Sequence, residues 1–331
     1  MGLSEDIKEL DVAREVDPRD ALVATHTMRV MSYNILAGGW PRIEALEAVM
    51  RDARADIIGM QEVAPHTLDA LARRLGMWSV HCPSRRGSAV ALLSRWPLRE
   101  VNLHEDSPLR NALLEVVVAP EGAAPLRIFV AHLSATYSAW RGGEGQRLRE
   151  LAYILKQMRV SADEPQLLMG DFNSLPPHES LLASQLLLHI AHNDELRAQG
   201  KDLTGHPSLK RVLPRPARPL ANALVNLARA PLFARACDLA ASVYVPRAVV
   251  RQTLAAGFVD LYTEAHPDPG QREMSCPSQN PAGRIDYIFA SQTLAARLLA
   301  CELLGDTPVR PVSRASDHRP MLATLVAPAR R

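Results

Sequence analysis

The sequence is poor in cysteine and in aromatic residues, and each shortage argues against particular kinds of site and scaffold. Only four cysteines occur among 331 residues, and no pair stands in a CxxC or CxxH spacing. Such isolated thiols argue against a zinc site and a disulfide framework and favour a reducing compartment, so we predict a cytoplasmic protein. Aromatic residues make up 5% of the chain, which argues against a surface built to stack single-stranded bases.

Long apolar runs are also absent. No stretch approaches the ~18 consecutive apolar residues of a membrane-spanning helix, so no transmembrane segment is predicted. The first residues are charged and lack the apolar core of a signal peptide. We interpret residues 1–27 as an N-terminal arm and residues 28–331 as one globular domain.

Apolar residues recur with a strand-like or a helix-like spacing along most of the chain. The spacing predicts strands over residues 28–36, 56–60, 89–94, 113–118, 127–132 and 166–170, and helices over residues 42–53, 65–75 and 144–160. This alternation favours an α/β fold in which helices cover two packed sheets.

Short polar runs lie at the ends of five of the apolar segments. They are Met31-Ser32-Tyr33-Asn34, Gln61-Glu62, Gly170-Asp171-Phe172-Asn173, Arg284-Ile285-Asp286-Tyr287 and Ser316-Asp317-His318. One Asp or Asn after a strand commonly makes a turn or caps a helix, but five such runs are hard to explain that way. Asp, Asn and His gathered at strand ends suit a hard divalent cation and proton transfer.

Taken in order, these segments resemble the endonuclease/exonuclease/phosphatase superfamily, the metal-dependent phosphoesterases related to DNase I. The matching segments are MRVMSYNI, DIIGMQEV, GSAVALLSRWPL, IFVAHLSA, LLMGDFNSLP, GRIDYIFAS and SDHRPMLATL. The resemblance covers roughly residues 28–180 and 254–327. It implies a four-layer α/β/β/α sandwich of two mixed sheets, in which residues 28–331 form a catalytic domain.

The resemblance also implies a site for Mg²⁺ or Mn²⁺. Glu62 stands where the family holds its cation, and a carboxylate is the ligand that these ions prefer. Asn34 would contribute through its amide oxygen or an ordered water, and Asp317 would add an oxygen from the other half of the chain. No thiolate or histidine cluster suggests zinc.

Five further residues receive catalytic roles from the resemblance. Asp171 would orient and activate the attacking water, and Asn173, on the same face of an extended segment, would donate to phosphate oxygens. Asp286 and His318 would form a pair in which the carboxylate fixes the imidazole tautomer. His132 would help to protonate the leaving oxygen or hold phosphate.

The segment around His132 distinguishes branches of the family. AP endonucleases carry a tyrosine segment of the form YVPN after the corresponding strand, whereas this chain has Ala131-His132-Leu133-Ser134. Tyr137 lies nearby but not in that context. The chain therefore resembles the branch that contains DNase I, sphingomyelinases and deadenylases, and we predict that it is not specific for abasic sites.

A basic insertion at about residues 185–253 interrupts the family pattern. Between residues 196 and 252, ten basic residues against two acidic ones give 10 − 2 = +8, which leaves 2 − 8 = −6 for the rest of the chain. Prolines predict a loop over residues 207–219, and residues 220–241 are predicted to form one or two helices. We predict that the insertion binds an anionic substrate, either nucleic acid or a lipid head group, through Arg215, Arg218, Arg229 and Arg235. A solvated insertion that docks on the acidic body is an equal alternative.

The sequence therefore predicts a divalent-metal-dependent phosphodiester hydrolase, a nuclease with little sequence preference. One alternative is a phosphodiesterase or phosphatase that acts on lipid head groups or small phosphate esters, with an anionic lipid surface as its partner. A second alternative is a non-catalytic binding protein on the same scaffold, and the filled catalytic positions speak against it. No protein partner is implied.

Overall fold

The structure is a computed structural model, and it describes residues 27–135, 143–162, 164–213 and 215–328. The predicted N-terminal arm, except for Thr27, lies outside the described residues, and so does Tyr137. Within the described ranges, no helix is both long enough and apolar enough to cross a membrane.

Two six-stranded sheets form the centre of the molecule. Their strands are β1 (Thr27–Gly38), β2 (Ile57–Val63), β3 (Trp78–Cys82), β4 (Val90–Ser94), β5 (Leu98–Leu103), β6 (Leu113–Val118), β7 (Leu126–His132), β8 (Gln166–Asp171), β9 (Val259–Asp260), β10 (Asp286–Ala290), β11 (Leu298–Leu303) and β12 (Met321–Val326). The first sheet has the order β11-β12-β1-β2-β4-β3, and the second has the order β5-β6-β7-β8-β10-β9. Both sheets are mixed, because β1 and β2 are parallel in one, β7 and β8 are parallel in the other, and the remaining neighbours are antiparallel.

Helices cover the outer faces of the sheets and build the insertion. The α-helices are α1 (Ile43–Ala53), α2 (Pro65–Leu75), α3 (Glu144–Met158), α4 (Ala183–Ala198), α5 (Leu209–Val212), α6 (Ala221–Ala228), α7 (Pro231–Tyr244), α8 (Ala248–Ala255), α9 (Leu261–Ala265), α10 (Gln292–Ala295) and α11 (Val312–Ala315). Short 3-10 helices occupy Trp40–Arg42, Arg159–Ser161, Arg215–Leu220 and Pro269–Gln271.

The alternation of side chains along the strands divides the core into layers. Val30 of β1 and Ile128 of β7 both point into the apolar cluster between the two sheets. Their chain neighbours point outwards: Met31 packs with α1 and α2, and Phe129 packs with α3 and α8. The order is therefore helix, sheet, sheet, helix, which confirms the predicted four-layer α/β/β/α sandwich.

Six strands, β3, β5 and β9 to β12, lie outside the strand ranges predicted from the sequence, and β3 and β5 show one reason. Both lie at sheet edges and carry half-buried or exposed side chains along most of their length. Strand β5 also shifts register between Arg99 and Asn102, and Glu100 has a φ of 46°. An edge position and a bulge both weaken the period-two pattern on which a sequence-based prediction depends.

The insertion builds a small apolar core of its own. Ile190 and Ala191 of α4 pack with Leu209 of α5 and Val225 of α6. The loop predicted over residues 207–219 instead contains α5 and the start of a 3-10 helix, because proline fixes φ near the value that a 3-10 turn accepts. The helices predicted over residues 220–241 are present as α6 and α7.

Candidate active site

The register of the second sheet brings three of the predicted catalytic residues side by side. Asp171 ends β8, and its partners across the strand pairs are His132 at the end of β7 and Asp286 at the start of β10. Because β8 lies between β7 and β10, the three residues stand on neighbouring strands at the same end of the sheet. His318 reaches this point from the turn before β12, which belongs to the other sheet.

Gly170 permits the close approach of β7 and β8. Its φ is 147°, and a Cβ atom there would lie 1.8 Å from the carbonyl oxygen of Ala131. A larger residue would push the strands apart next to the pairing of His132 with Asp171. The glycine of the GDFN run therefore has a packing role that supports the site.

A buried carboxylate–imidazole pair forms one side of the site. Nδ1 of His318 donates to Oδ2 of Asp286 at 2.9 Å, and the Ser275 hydroxyl donates to the same oxygen at 2.6 Å. Ser316 accepts from the backbone N–H of His318 at 3.1 Å and fixes the turn. Burial opposes a charge on the ring, but the Asp286 carboxylate raises the pKa of His318 well above its usual value. His318 is therefore a cation at neutral pH.

The side chains of Asn34, His132 and His318 surround one carboxylate oxygen of Asp171. Its Oδ2 atom accepts from Nδ2 of Asn34 at 3.1 Å and lies 3.7 Å from Nε2 of His132 and 3.9 Å from Nε2 of His318. Burial, and then the charge of Asp286, raise the pKa of Asp171 to about 6. A carboxyl group with such a pKa can accept a proton from water near neutral pH.

His132 is buried, and one of its two ring nitrogens makes no hydrogen bond to the described residues. Nε2 faces Asp171, whereas Nδ1 has no hydrogen-bond partner among the described residues. Buried polar atoms are normally paired, so a nitrogen left open in a cluster of acid and base groups suits contact with a ligand.

Glu62 lies near the end of β2 and is held by two donors. Its Oε1 atom accepts from Nδ2 of Asn34 at 3.2 Å, and its Oε2 atom accepts from the backbone N–H of Ala37 at 2.9 Å. Burial disfavours the charge, but His132 and the amide of Ala37 hold the pKa of Glu62 below its usual value, so the carboxylate is ionised. Its φ of 60° is uncommon for a residue with a side chain, and such strain clusters at functional sites.

Asn34 connects the two carboxylates. Its amide nitrogen donates to both Glu62 and Asp171. Its amide oxygen accepts from the backbone N–H of Leu36 at 3.0 Å, which occupies one of the two lone pairs of this oxygen. The metal role of Asn34, through this oxygen or an ordered water, stays a prediction.

Asn173 takes part in the site in another way than predicted. The extended segment ends at Asp171, and Asn173 has a φ of 46°, so the two side chains do not alternate along one strand face. Asn173 instead turns back, donating its backbone N–H to Oδ1 of Asp171 at 2.8 Å and its amide to the carbonyl of Leu133 at 2.9 Å. This turn holds Asp171 beside the residue that follows His132.

The insertion supplies a site residue that the sequence did not reveal. Nδ1 of His206 lies 3.6 Å from Oδ2 of Asp317. The preceding Gly205 packs so closely that a Cβ atom there would lie 2.6 Å from Cβ of Ala37. The insertion therefore touches the end of β1, where the backbone N–H of Ala37 donates to Glu62. In the sequence, Gly205-His206-Pro207 signals only a turn and not what the turn contacts.

The carboxylates of Glu62 and Asp317 would suit a hard divalent cation, and their role in metal binding stays a prediction. Oδ1 of Asp317 is buried without a hydrogen-bond partner among the described residues and lies 3.9 Å from Nε2 of His318. Both groups offer oxygen, as Mg²⁺ and Mn²⁺ require.

A second group of candidate ligands comprises Asp171, Asp286 and His318, whose ligand atoms lie within 4.8 Å of one another. We interpret this group as a proton-transfer cluster. Nδ1 of His318 is hydrogen-bonded to Asp286, and Nε2 of the same ring lies 3.9 Å from Oδ2 of Asp171, so the three residues form one chain of acid and base groups.

The four arginines predicted to bind substrate all lie on the exposed surface of the insertion. Arg218 donates from Nε to the carbonyl of Leu213 at 3.3 Å. In the described part of the chain, none of Arg215, Arg218, Arg229 and Arg235 forms an ion pair or a hydrogen bond with the catalytic residues. Their role in substrate binding stays a prediction.

Two mixed sheets packed face to face, with acid and imidazole groups at their strand ends, define a DNase I-like α/β sandwich. The chain belongs to the endonuclease/exonuclease/phosphatase family, whose sequence model matches residues 31–318. Family members are hydrolases that act on phosphoester bonds, and they include nucleases and phosphatases. A search of curated protein sequences finds no match.

Solved structures that share this fold include the following three. An AP endonuclease from Archaeoglobus fulgidus is 17% identical, with 90% of this chain and 99% of that chain covered and a TM-score of 0.54. Truncated TDP2 from Caenorhabditis elegans is 16% identical, with 91% and 98% covered and a TM-score of 0.55. The 3'-5' exonuclease NExo from Neisseria meningitidis is 16% identical, with 89% and 98% covered and a TM-score of 0.55. At these identities the likeness establishes the fold and not the substrate.

Proposed function

We propose that this protein is a phosphodiester hydrolase that uses Mg²⁺ or Mn²⁺ and cleaves nucleic acid with little sequence preference. The observation that carries the proposal is the setting of Asp171, a buried carboxyl with a pKa of about 6 that faces His132 and His318. A base near neutral pH, flanked by imidazole groups, suits in-line attack of water on phosphorus.

In this mechanism Asp171 orients the attacking water and takes its proton at a carboxylate oxygen. His318, held as a cation by Asp286, donates from Nε2 to a phosphoryl oxygen and stabilises the charge that develops there. His132 lies on the other side of Asp171 and protonates the leaving oxygen. Asn173 keeps the Asp171 carboxylate in place through its backbone N–H.

Glu62 and Asp317 would hold the divalent cation, and Asn34 would keep Glu62 and Asp171 at a fixed separation. When bound, a divalent cation neutralises charge on the phosphoryl and leaving oxygens. The donor set contains carboxylate oxygens and no thiolate, which supports Mg²⁺ or Mn²⁺ over zinc.

Two observations support nucleic acid as the substrate. The NExo enzyme of Neisseria, which has the same fold, is described as a 3' phosphatase bound to a product DNA hairpin. The insertion of this chain carries a net charge of +8 between residues 196 and 252, and a polyanion is attracted to such a surface.

A second candidate substrate is the phosphodiester of a lipid head group. Exposed apolar side chains on the insertion, such as Leu232 and Leu239, favour a lipid because a nucleic-acid backbone offers no apolar surface to cover them.

The cytoplasmic location and the division into an arm, a catalytic domain and an insertion stay predictions.

A substrate panel tests the proposed function. Plasmid, single-stranded DNA, RNA, sphingomyelin vesicles, bis-p-nitrophenyl phosphate and p-nitrophenyl phosphate are incubated with Mg²⁺, with Mn²⁺ or with EDTA, and the Asp171→Asn variant is the matched control. We expect the wild type to hydrolyse the nucleic acids and the small diester in a metal-dependent way, with the control inactive. Hydrolysis of the monoester alone would replace the proposal with a phosphatase, and no hydrolysis of any substrate would support the non-catalytic alternative.

A further inference from the structure

Helix α7 of the insertion presents an apolar stripe to solvent. Leu232, Leu239 and Val243 are 83%, 72% and 80% exposed. Their spacings of seven and four residues place them on one side of the helix. No residue of α7 is buried, so the helix packs only loosely on the rest of the insertion.

The orientation of α7 is set by a contact on another side of the helix. Asp238 accepts from the backbone N–H of Ser184 at 2.8 Å and from its hydroxyl at 3.1 Å. Ser184 lies in the first turn of α4, so this contact ties α7 to the insertion core. Because Asp238 points inwards, the apolar stripe is fixed facing outwards.

Basic residues outnumber acidic ones in the segment that carries the stripe. Asp238 is the one acidic residue between residues 209 and 244, against the basic residues Lys210, Arg211, Arg215, Arg218, Arg229 and Arg235. Since Asp238 is engaged by Ser184, it does not neutralise the exposed side. Within the described residues, neither Arg229 nor Arg235, which flank the first turn of α7, forms an ion pair.

We propose that Leu232, Leu239, Val243, Arg229 and Arg235 form a docking surface for membranes that contain anionic lipids, here called the α7 surface. Apolar side chains of an interfacial helix enter the boundary of the acyl chains, while arginines at the same level pair with head-group phosphates. Exposed leucine and valine beside uncompensated arginine match both parts of that environment. The proposal does not depend on which phosphodiester the active site cleaves.

Other occupants match the α7 surface less well. A two-fold contact with a second copy would bring two copies of this positively charged segment together, so like charges would oppose it. A nucleic acid would pair with the arginines but would leave the leucines and the valine in water, and the stripe has no aromatic ring on which a base could stack.

Cosedimentation of the full chain with vesicles tests the proposal. One set of vesicles is pure phosphatidylcholine, and the other contains phosphatidylcholine and phosphatidylglycerol in equal parts. We expect binding to the anionic vesicles that weakens as salt rises. The variant Leu232→Ser/Leu239→Ser/Val243→Ser should lower the affinity by about tenfold or more, since each buried methylene contributes to partition. The variant Arg229→Gln/Arg235→Gln should lower binding at low salt and flatten the salt dependence.

Val160→Ser is the matched control, because Val160 is 85% exposed but lies in the 3-10 helix after α3, outside the insertion. It should bind like the wild type. Equal thermal midpoints and equal circular dichroism spectra confirm that the variants are folded, and the arginine variant keeps the test valid if the triple variant is unstable. Failure of the wild-type protein to bind the anionic vesicles would overturn the proposal. A concentration-dependent dimer that the triple variant abolishes would overturn it in favour of a second copy.

Discussion

The imidazole Nδ1 atom of His206 lies 3.6 Å from Oδ2 of Asp317, although one residue belongs to the insertion and the other precedes β12. The second oxygen of Asp317, Oδ1, is buried and has no hydrogen-bond partner in the described ranges. Burial lowers the pKa of His206, so its ring is neutral near pH 7 and can carry a proton on Nδ1. The insertion thus places a neutral imidazole beside one oxygen of the carboxylate, while Nε2 of His318 lies 3.9 Å from the other oxygen.

The first prediction concerns this contact. His206→Ala should weaken Mn²⁺ binding by roughly 10–100-fold, the effect typical of residues that orient a metal ligand. Titration of Mn²⁺ followed by electron paramagnetic resonance measures the affinity without any substrate. His206→Asn, which can place an amide N–H near the same position, should recover part of the loss. His192→Ala is the control, because His192 lies on α4 with its side chain 64% exposed. Unchanged affinity in His206→Ala would show that this residue only packs.

The second prediction is that activity requires the oxygen ligands Glu62 and Asp317. Glu62→Ala and Asp317→Ala should each raise the Mg²⁺ concentration needed for half-maximal rate and lower the turnover number, because a hard cation loses a carboxylate ligand. Glu195→Gln removes an exposed carboxylate of the insertion and should change neither value. Steady-state rates across a Mg²⁺ series give both quantities. Full activity in EDTA would contradict the assignment of this site.

The third prediction follows from Asp171, whose pKa is raised to about 6 by burial and by the neighbouring Asp286. The ionised form must accept the proton of water, so the rate should fall as the pH drops through about 6 and level off above it. Asp171→Asn should lose roughly 10²–10⁴-fold in turnover, the usual share of a general base. Rates at a series of pH values, with circular dichroism to confirm the fold, test both statements. An Asp171→Asn variant with the wild-type rate would rule out this role.

Much of the site could be predicted because the signals are local. Asn34, Glu62 and Asp171 each stand at the end of an apolar strand segment, and such a segment is recognisable without knowing its partners. The motif order then suggested a family, and the two sheets have the architecture of that family. His132 and Asp286 come next to Asp171 because strand register follows from packing both faces of β7, β8 and β10.

The parts that were not predicted depend on contacts between distant segments. His206 meets Asp317 because the insertion folds back over the end of β1, and nothing near Gly205 in the sequence signals that direction. Asn173 was expected on an extended strand, but a positive φ is decided by the hydrogen bonds to Asp171 and Leu133. A local pattern cannot carry either kind of information.

The fourth prediction distinguishes the role of His318 from the role of its partner Asp286. Asp286 raises the pKa of His318, so the cationic form is the one held in the site, and its contribution is lost as the pH rises through that raised pKa. Asp286→Asn should therefore move the alkaline limb of the pH–rate profile to lower pH while the protein stays folded. His318→Ala should remove roughly 10²–10⁴-fold in turnover at pH values below that limb, where the wild-type ring is cationic. If Asp286→Asn lowers the rate equally at all pH values, the carboxylate does not act through the charge of the imidazole.

The fifth prediction is that the protein does not select abasic sites. β7 ends at His132 and is followed by Leu133-Ser134, and not by a tyrosine segment of the YVPN form. Nε2 of His132 lies 3.7 Å from Asp171, and its other ring nitrogen is buried and unpaired within the described residues, so this side of the site is arranged around an imidazole. A duplex with one abasic analogue and the intact duplex of the same sequence should be cleaved at rates within about tenfold of each other, a difference of ~1.4 kcal/mol.

The assay compares initial rates for the two duplexes under single-turnover conditions with Mg²⁺. The His132→Ala variant serves as its internal control, because it should slow both substrates to the same extent if the imidazole contacts the phosphate common to both. A strong preference of the wild type for the abasic strand would show that the chain does not belong to the branch with a histidine at this position. The fold that it shares with the Archaeoglobus fulgidus enzyme does not decide this question. Loss of abasic cleavage alone in His132→Ala would instead assign the imidazole to recognition of the missing base.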